Sequence, residues 1–217
     1  INSGANFDSD RTTNIIRGDG GTGGLKVTVN SSATAFGGYI TSETGPLILD
    51  VASGDLTVSY IKSGGSEDTI SVNSRLTSTN STGINLAGGN DTLTANAAVT
   101  LNAGSLIFGR GDDTLTLGAS GSVAVSSSSG YIDLGDGNDT VTVSSSSSIA
   151  LRANVAPAAG TAAVAGSAVF RAGDGNDAIT IEGSGSFAAE GGDVTLGAGN
   201  DILTISSTSS NALDLNR

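Results

Sequence analysis

Apolar residues alternate with polar ones in short runs along the chain, and each run keeps a fixed distance from an aspartate. Two and four positions after that aspartate stand Ile70 and Val72, Leu93 and Ala95, Leu115 and Leu117, Val141 and Val143, Ile179 and Ile181, and Leu203 and Ile205. A period of two predicts a strand with one buried face. Seven and five positions before it stand Ile84 and Leu86, Leu106 and Phe108, Ile132 and Leu134, Phe170 and Ala172, and Val194 and Leu196, a second strand. A third lies between them, at Val99 and Leu101, Val123 and Val125, Ile149 and Leu151, and Phe187 and Ala189.

The aspartates that set this register are Asp68, Asp91, Asp113, Asp139, Asp177 and Asp201, spaced by 23, 22, 26, 38 and 24 residues. Repeats of this length build solenoids, in which one coil cannot bury its inner face alone and a stack of coils can. Leu25-Val27-Val29, Leu47-Leu49-Val51 and Leu56-Val58 mark further coils toward the N-terminus. The pattern predicts an all-β chain, a parallel β-helix with three sheets and about eight coils of roughly 22–26 residues. The general crossover preference makes it right-handed. At about 4.8 Å per coil, the rod is on the order of 40 Å long. One solenoid domain is expected over 1–217, with 1–24 as a cap or linker and 152–166 as a loop insertion within the 38-residue spacing. The run Ala212-Leu213-Asp214-Leu215 halts within a coil, and an open strand edge invites head-to-tail stacking or continuation into a longer rod.

Composition narrows the functions. The 33 glycines among 217 residues are about twice the usual ~7% share, yet 37% of residues are hydrophobic and regularly placed, unlike a disordered linker. Cys and His are both absent, so Ser-His-Asp and Cys-His catalysis, disulfides and thiolate zinc sites are excluded within this chain. A net charge of −12 argues against nucleic acid and anionic lipid as partners and suits an extracellular protein. No apolar run approaches the ~20 residues of a membrane-spanning helix, so no direct membrane insertion is expected of this chain.

The aspartates close a corner that reads Gly-x-Gly-Asn-Asp at residues 135–139, 173–177 and 197–201. Glycine supplies positive φ, and Asn and Asp hydrogen-bond to nearby backbone. Stacked about 5 Å apart, the carboxylates would repel by ~1 kcal/mol per pair in water and by ~3 to 4 kcal/mol at an effective dielectric near 20. Two kinds of relief are open. Backbone amides are one. The other is a Ca²⁺ column held by Asp91, Asp113, Asp139, Asp177 and Asp201 with Asn138, Asn176 and Asn200.

The corner resembles the calcium-binding nonapeptide of RTX proteins, although here one copy occurs per coil and the leading glycine is replaced at Leu134 and Leu196. Over nearly the whole chain, segments such as Tyr131-Ile132-Asp133-Leu134-Gly135-Asp136-Gly137-Asn138-Asp139-Thr140-Val141-Thr142-Val143 are similar to repeats in the passengers of type V autotransporters, especially alphaproteobacterial ones. That resemblance implies a β-helical passenger exposed at an outer membrane, commonly an adhesin, and the partner expected is a cell-surface ligand or a second rod. No catalytic role is expected, because no acid cluster with Arg, Lys and aromatics stands apart from the repeat.

Three other features compete. Thr92, Thr94, Thr114, Thr116, Thr140 and Thr142 point outward in the strand after the corner, a ladder suited to an ice- or glycan-binding module, although threonine is also simply a good exposed strand residue. Arg-Gly-Asp occurs at 17–19 and 110–112, where the turn repeat supplies Gly and Asp anyway. Carbohydrate-active enzymes use β-helices too, and Asp133, Asp136 and Asp139 are the nearest to a paired-acid site, but they belong to the repeating corner.

Overall fold

The computed structural model describes residues 5–8, 15–18, 23–30, 38–102, 104–118, 120–125, 130–144, 147–152, 169–190, 193–208, 210 and 212–214. The alternating runs form three sheets of nine, eight and seven strands, each built from one strand per lap of the chain. The first wall precedes the aspartate corner, the second follows it, and the third returns the chain to the next lap. Every pairing of neighbouring laps is parallel, and the described residues contain no helix.

Register is exact in residue type because every lap repeats the same period-two pattern. On the inner face of the first wall, Ile40, Ile61, Ile84, Leu106, Ile132, Phe170 and Val194 stack in one column. The second wall stacks Leu49, Ile70, Leu93, Leu115, Val141, Ile179 and Leu203. The third stacks Leu56, Leu76, Val99, Val123, Ile149, Phe187 and Leu213. A one-residue slip would turn all of these outward, so burial itself pins the register. The three columns meet in one continuous aliphatic core, with Phe170 and Phe187 packed edge-to-face across it at 5.0 Å.

Two expectations need adjustment. The solenoid has about six turns, fewer than the eight read from the repeat. The lap holding Ile15–Gly18 and Leu25–Val29 has no third-wall strand among the described residues, and the last lap closes on the two-residue strand Leu213–Asp214. At the N-terminal edge of the first wall, Ala5–Asp8 pairs antiparallel with Ile15–Gly18, so part of 1–24 is a strand pair on the sheet edge. Beyond Arg152, the expected insertion at 152–166 lies outside the described residues.

Candidate functional site

The corner after the first wall is where the sequence concentrates its acid, and the structure turns that acid inward. Asp68, Asp91, Asp113, Asp139 and Asp177 are all buried, Asp91 completely. Each carboxylate accepts a hydrogen bond from the backbone of the lap before it. The Leu47 N–H donates to Asp68 Oδ1 at 2.6 Å, Asp68 N–H to Asp91 Oδ1 at 2.8 Å, and Asp91 N–H to Asp113 Oδ1 at 2.7 Å. Asp113 N–H donates to Asp139 Oδ1 at 2.7 Å, Asp139 N–H to Asp177 Oδ1 at 2.9 Å, and Asp177 N–H to Asp201 Oδ1 at 3.1 Å. The result is a carboxylate ladder along the rod, each rung tying one lap to the next. The Oδ2 atoms of the five buried aspartates are buried and have no hydrogen-bond partner among the described residues.

This environment favours the neutral acid. Burial pushes the Asp91 carboxyl up to about 8, that of Asp139 to about 7 and that of Asp113 to about 6, while the accepted backbone N–H bonds pull each of them down. The neighbouring aspartates raise Asp91 and Asp139 further. Burial also raises Asp68 and Asp177. With Oδ1 occupied as an acceptor, the proton belongs on Oδ2. The repulsion expected of a charged column is therefore relieved in two ways, by backbone donors and by protonation.

One residue earlier, a second ladder runs in the opposite direction on the exposed side of the corner. Asp112 N–H donates to Asn90 Oδ1, and Asn138 donates through both N–H and Nδ2 to Asp112 Oδ1. Asn176 does the same to Asn138 Oδ1, and Asn200 to Asn176 Oδ1. The sequence marked these asparagines as candidate metal ligands. Their oxygens already serve as lap-to-lap acceptors, and among the described residues no three acidic side chains come together as an ion cage. Ca²⁺ takes 6–8 oxygen ligands; in this column each Oδ1 is taken by a backbone amide, which leaves one oxygen, Oδ2, on each buried carboxylate.

The remaining candidates separate in space. Thr92, Thr114 and Thr140 stand in register in one outward column of the second wall, and Thr94, Thr116 and Thr142 in the next. Thr180 and Thr204 extend the second column, whereas Ala178 and Ile202 replace threonine in the first. Asp133 faces Arg171 at 3.7 Å on the first wall, and Asp136 pairs with Arg110 at 3.3 Å on the exposed corner. Asp139 points into the interior, so the three acids do not form one site. In Arg110-Gly111-Asp112 both charged side chains are engaged, in the Asp136 ion pair and in the asparagine ladder. Asp19 of the other Arg-Gly-Asp lies outside the described residues.

The paired, opposed ladders are what sequence reasoning missed. The signal was present, because Asn or Asp precedes the aspartate in five of the six corners, at Asn90, Asp112, Asn138, Asn176 and Asn200. Comparison of the chain with protein families, with characterised proteins and with solved structures returns no significant match, so the β-solenoid stands on its own geometry.

Proposed function

We infer that the chain is a rigid, surface-exposed structural or adhesive rod, of the kind found in autotransporter passengers and surface fibres. The observation that carries this reading is the unbroken pair of corner ladders from Asp91 to Asp201, which ties each lap to the next by side chain as well as by sheet. A protein that spends its polar corner on lap-to-lap bonds is built to hold a fixed length and to present repeating faces. Its acidic, Ser- and Thr-rich exterior suits an extracellular setting, where it would contact a cell-surface ligand or another rod. The test is display of the chain on beads or cells. Clumping or attachment above that of a display control is expected. Inert beads, together with turnover of an acidic polysaccharide, would replace this reading with the enzymatic one.

The reading gives calcium no required part, since the Oδ1 atoms already accept the backbone N–H bonds that tie one lap to the next. Melting temperature is expected to be the same in chelator and in millimolar Ca²⁺, whereas a rise with the ion would restore the metal to the corner.

A second reading rests on the threonine columns of the second wall, which repeat at about 4.8 Å along the rod and roughly 7 Å across it. Such a flat, regular hydroxyl array suits ice or a glycan. Thermal hysteresis abolished by Thr116→Lys would move the assignment to ice.

A further inference from the structure

The lap of residues 193–208 differs from all others in what it leaves unpaired. Its two strands, Asp193–Ala198 and Ile202–Ser207, are edge strands of the first and second walls. Leu203 and Ile205 belong to the inner columns, yet they are 40% and 45% exposed. The corner between the strands is equally open, and the earlier laps show what each of its groups pairs with.

In every lap below, the aspartate N–H donates to the aspartate Oδ1 of the following lap, as Asp177 does to Asp201. The aspartate carbonyl accepts from the residue after the next aspartate, as Asp177 O does from Ile202 N–H. The second glycine N–H donates to the carbonyl of the x residue one lap on, as Gly175 does to Ala198. The asparagine Oδ1 accepts from the next asparagine, as Asn176 does from Asn200. Asp201 N–H, Asp201 O, Gly199 N–H and Asn200 Oδ1 have no such partner among the described residues. These two donors and two acceptors have fixed positions beside an apolar strip.

We propose that this face is a docking surface for a further β-coil carrying an x-Gly-Asn-Asp corner followed by an alternating aliphatic strand. Such a coil answers all four groups. Its aspartate Oδ1 accepts from Asp201 N–H, and its x carbonyl accepts from Gly199 N–H. Its asparagine donates to Asn200 Oδ1, and the residue after its aspartate donates to Asp201 O. Its aliphatic strand covers Leu203 and Ile205. The N-terminal end of a second copy leaves at least one of them, Asp201 N–H, without an acceptor. The position equivalent to the corner aspartate on the first lap is Leu25, whose side chain offers no acceptor for Asp201 N–H. The proposal rests on the solenoid register alone and is independent of the adhesive reading.

The absence of native cysteine makes the test clean. Thr204 sits on the open edge of the second wall, and Thr28 sits on the opposite edge of the same sheet. The full chain is prepared as Thr204→Cys and, separately, as Thr28→Cys. The probe is a synthetic peptide of residues 131–143 carrying Thr142→Cys, the residue in the same outward column. Neighbouring strands about 4.8 Å apart bring paired cysteines within disulfide reach. Oxidative linkage is expected at least about tenfold faster at position 204 than at position 28, and Asp139→Ala in the peptide is expected to remove most of that excess. Equal rates at the two ends, or linkage indifferent to Asp139→Ala, would overturn the proposal. So would Thr204→Cys chains that link to one another in preference to the peptide, since the face would then belong to a second copy.

Discussion

At the first glycine of the corner the backbone is left-handed on the five laps from Ala87 to Gly197, and one of these does not use glycine. Gly109, Gly135, Gly173 and Gly197 have φ of 117°, 109°, 117° and 100°, and Ala87 occupies the same column with φ of 70°. A Cβ on Gly135 would overlap the carbonyl oxygen of Gly109 one lap back. Gly135→Ala is therefore expected to cost on the order of 2 kcal/mol or more, from strain and from that overlap. Ala87→Gly runs the other way and is expected to gain about 1 kcal/mol by removing the left-handed penalty of a residue with Cβ. Urea unfolding of the two variants checks both signs, and a destabilised Ala87→Gly would show that the column does not demand glycine. The need for glycine was legible in the Gly-x-Gly spelling. Less legible was which way the aspartate beside it points, because an acid in a turn is ordinarily solvated. Only the lap-to-lap stacking reveals that the N–H groups awaiting its oxygen lie on the preceding aspartate.

Ladder and sheet together set how the rod responds to pH. Asp91, Asp139 and Asp113 hold their protons up to about 8, 7 and 6 when folded, against about 3.9 for an unfolded aspartate. Folding thus binds protons between about pH 4 and 8. The unfolded chain holds fewer protons across that window, so stability is greatest at its acid end, falls as pH rises through it, and is level above it. Asp55, exposed and held below the ordinary range by Ser74 and Arg75, acts in the opposite sense, but solvent screens it. A fall in melting temperature between pH 5 and 8.5 is expected, at about 3 °C per kcal/mol for a chain of this size. Asp139→Asn keeps an Oδ1 acceptor for the Asp113 N–H and removes one titration, so its profile should be shallower. A wild-type melting temperature that is level across the range would mean the column is charged throughout. The strand elements were readable from period-two alternation alone, down to the pairing of Val99 with Val123 and of Val123 with Ile149. The antiparallel pair at Ala5–Asp8 and Ile15–Gly18 was not, since neither run carries the corner that sets the register elsewhere.

On the scale of the molecule, each lap touches only its neighbours, and its columns repeat those of the laps on either side. A stack of this kind gains stability lap by lap, as intrinsic and nearest-neighbour contributions, so removing one whole lap should leave a shorter rod that still folds. Deleting residues 114–139 joins Asp113 to Thr140. Thr140 occupies the register position of Thr114, so Val141 would stack on Leu93 and Ile149 on Val99. Both ladders stay continuous, because Asp177 then supplies the acceptor for Asp113 and Asn176 stands above Asp112. The expected product is a cooperatively folded chain about 4.8 Å shorter in solution scattering, with β-content per residue unchanged. Deleting only residues 114–126 removes half a lap, with both its second-wall and third-wall strands, and brings the first-wall strand Tyr131–Asp136 round too soon after the Asp113 corner. That variant should lose the register of every column beyond the cut and fail to fold. The contrast is the measurement, because the two deletions differ in whether the corner returns to its place and not merely in how many apolar residues they remove. If the whole-lap deletion unfolds the chain as completely as the half-lap one, then stability depends on something other than the repeated nearest-neighbour contacts, and neither the additive rod nor a docking face at its end would follow.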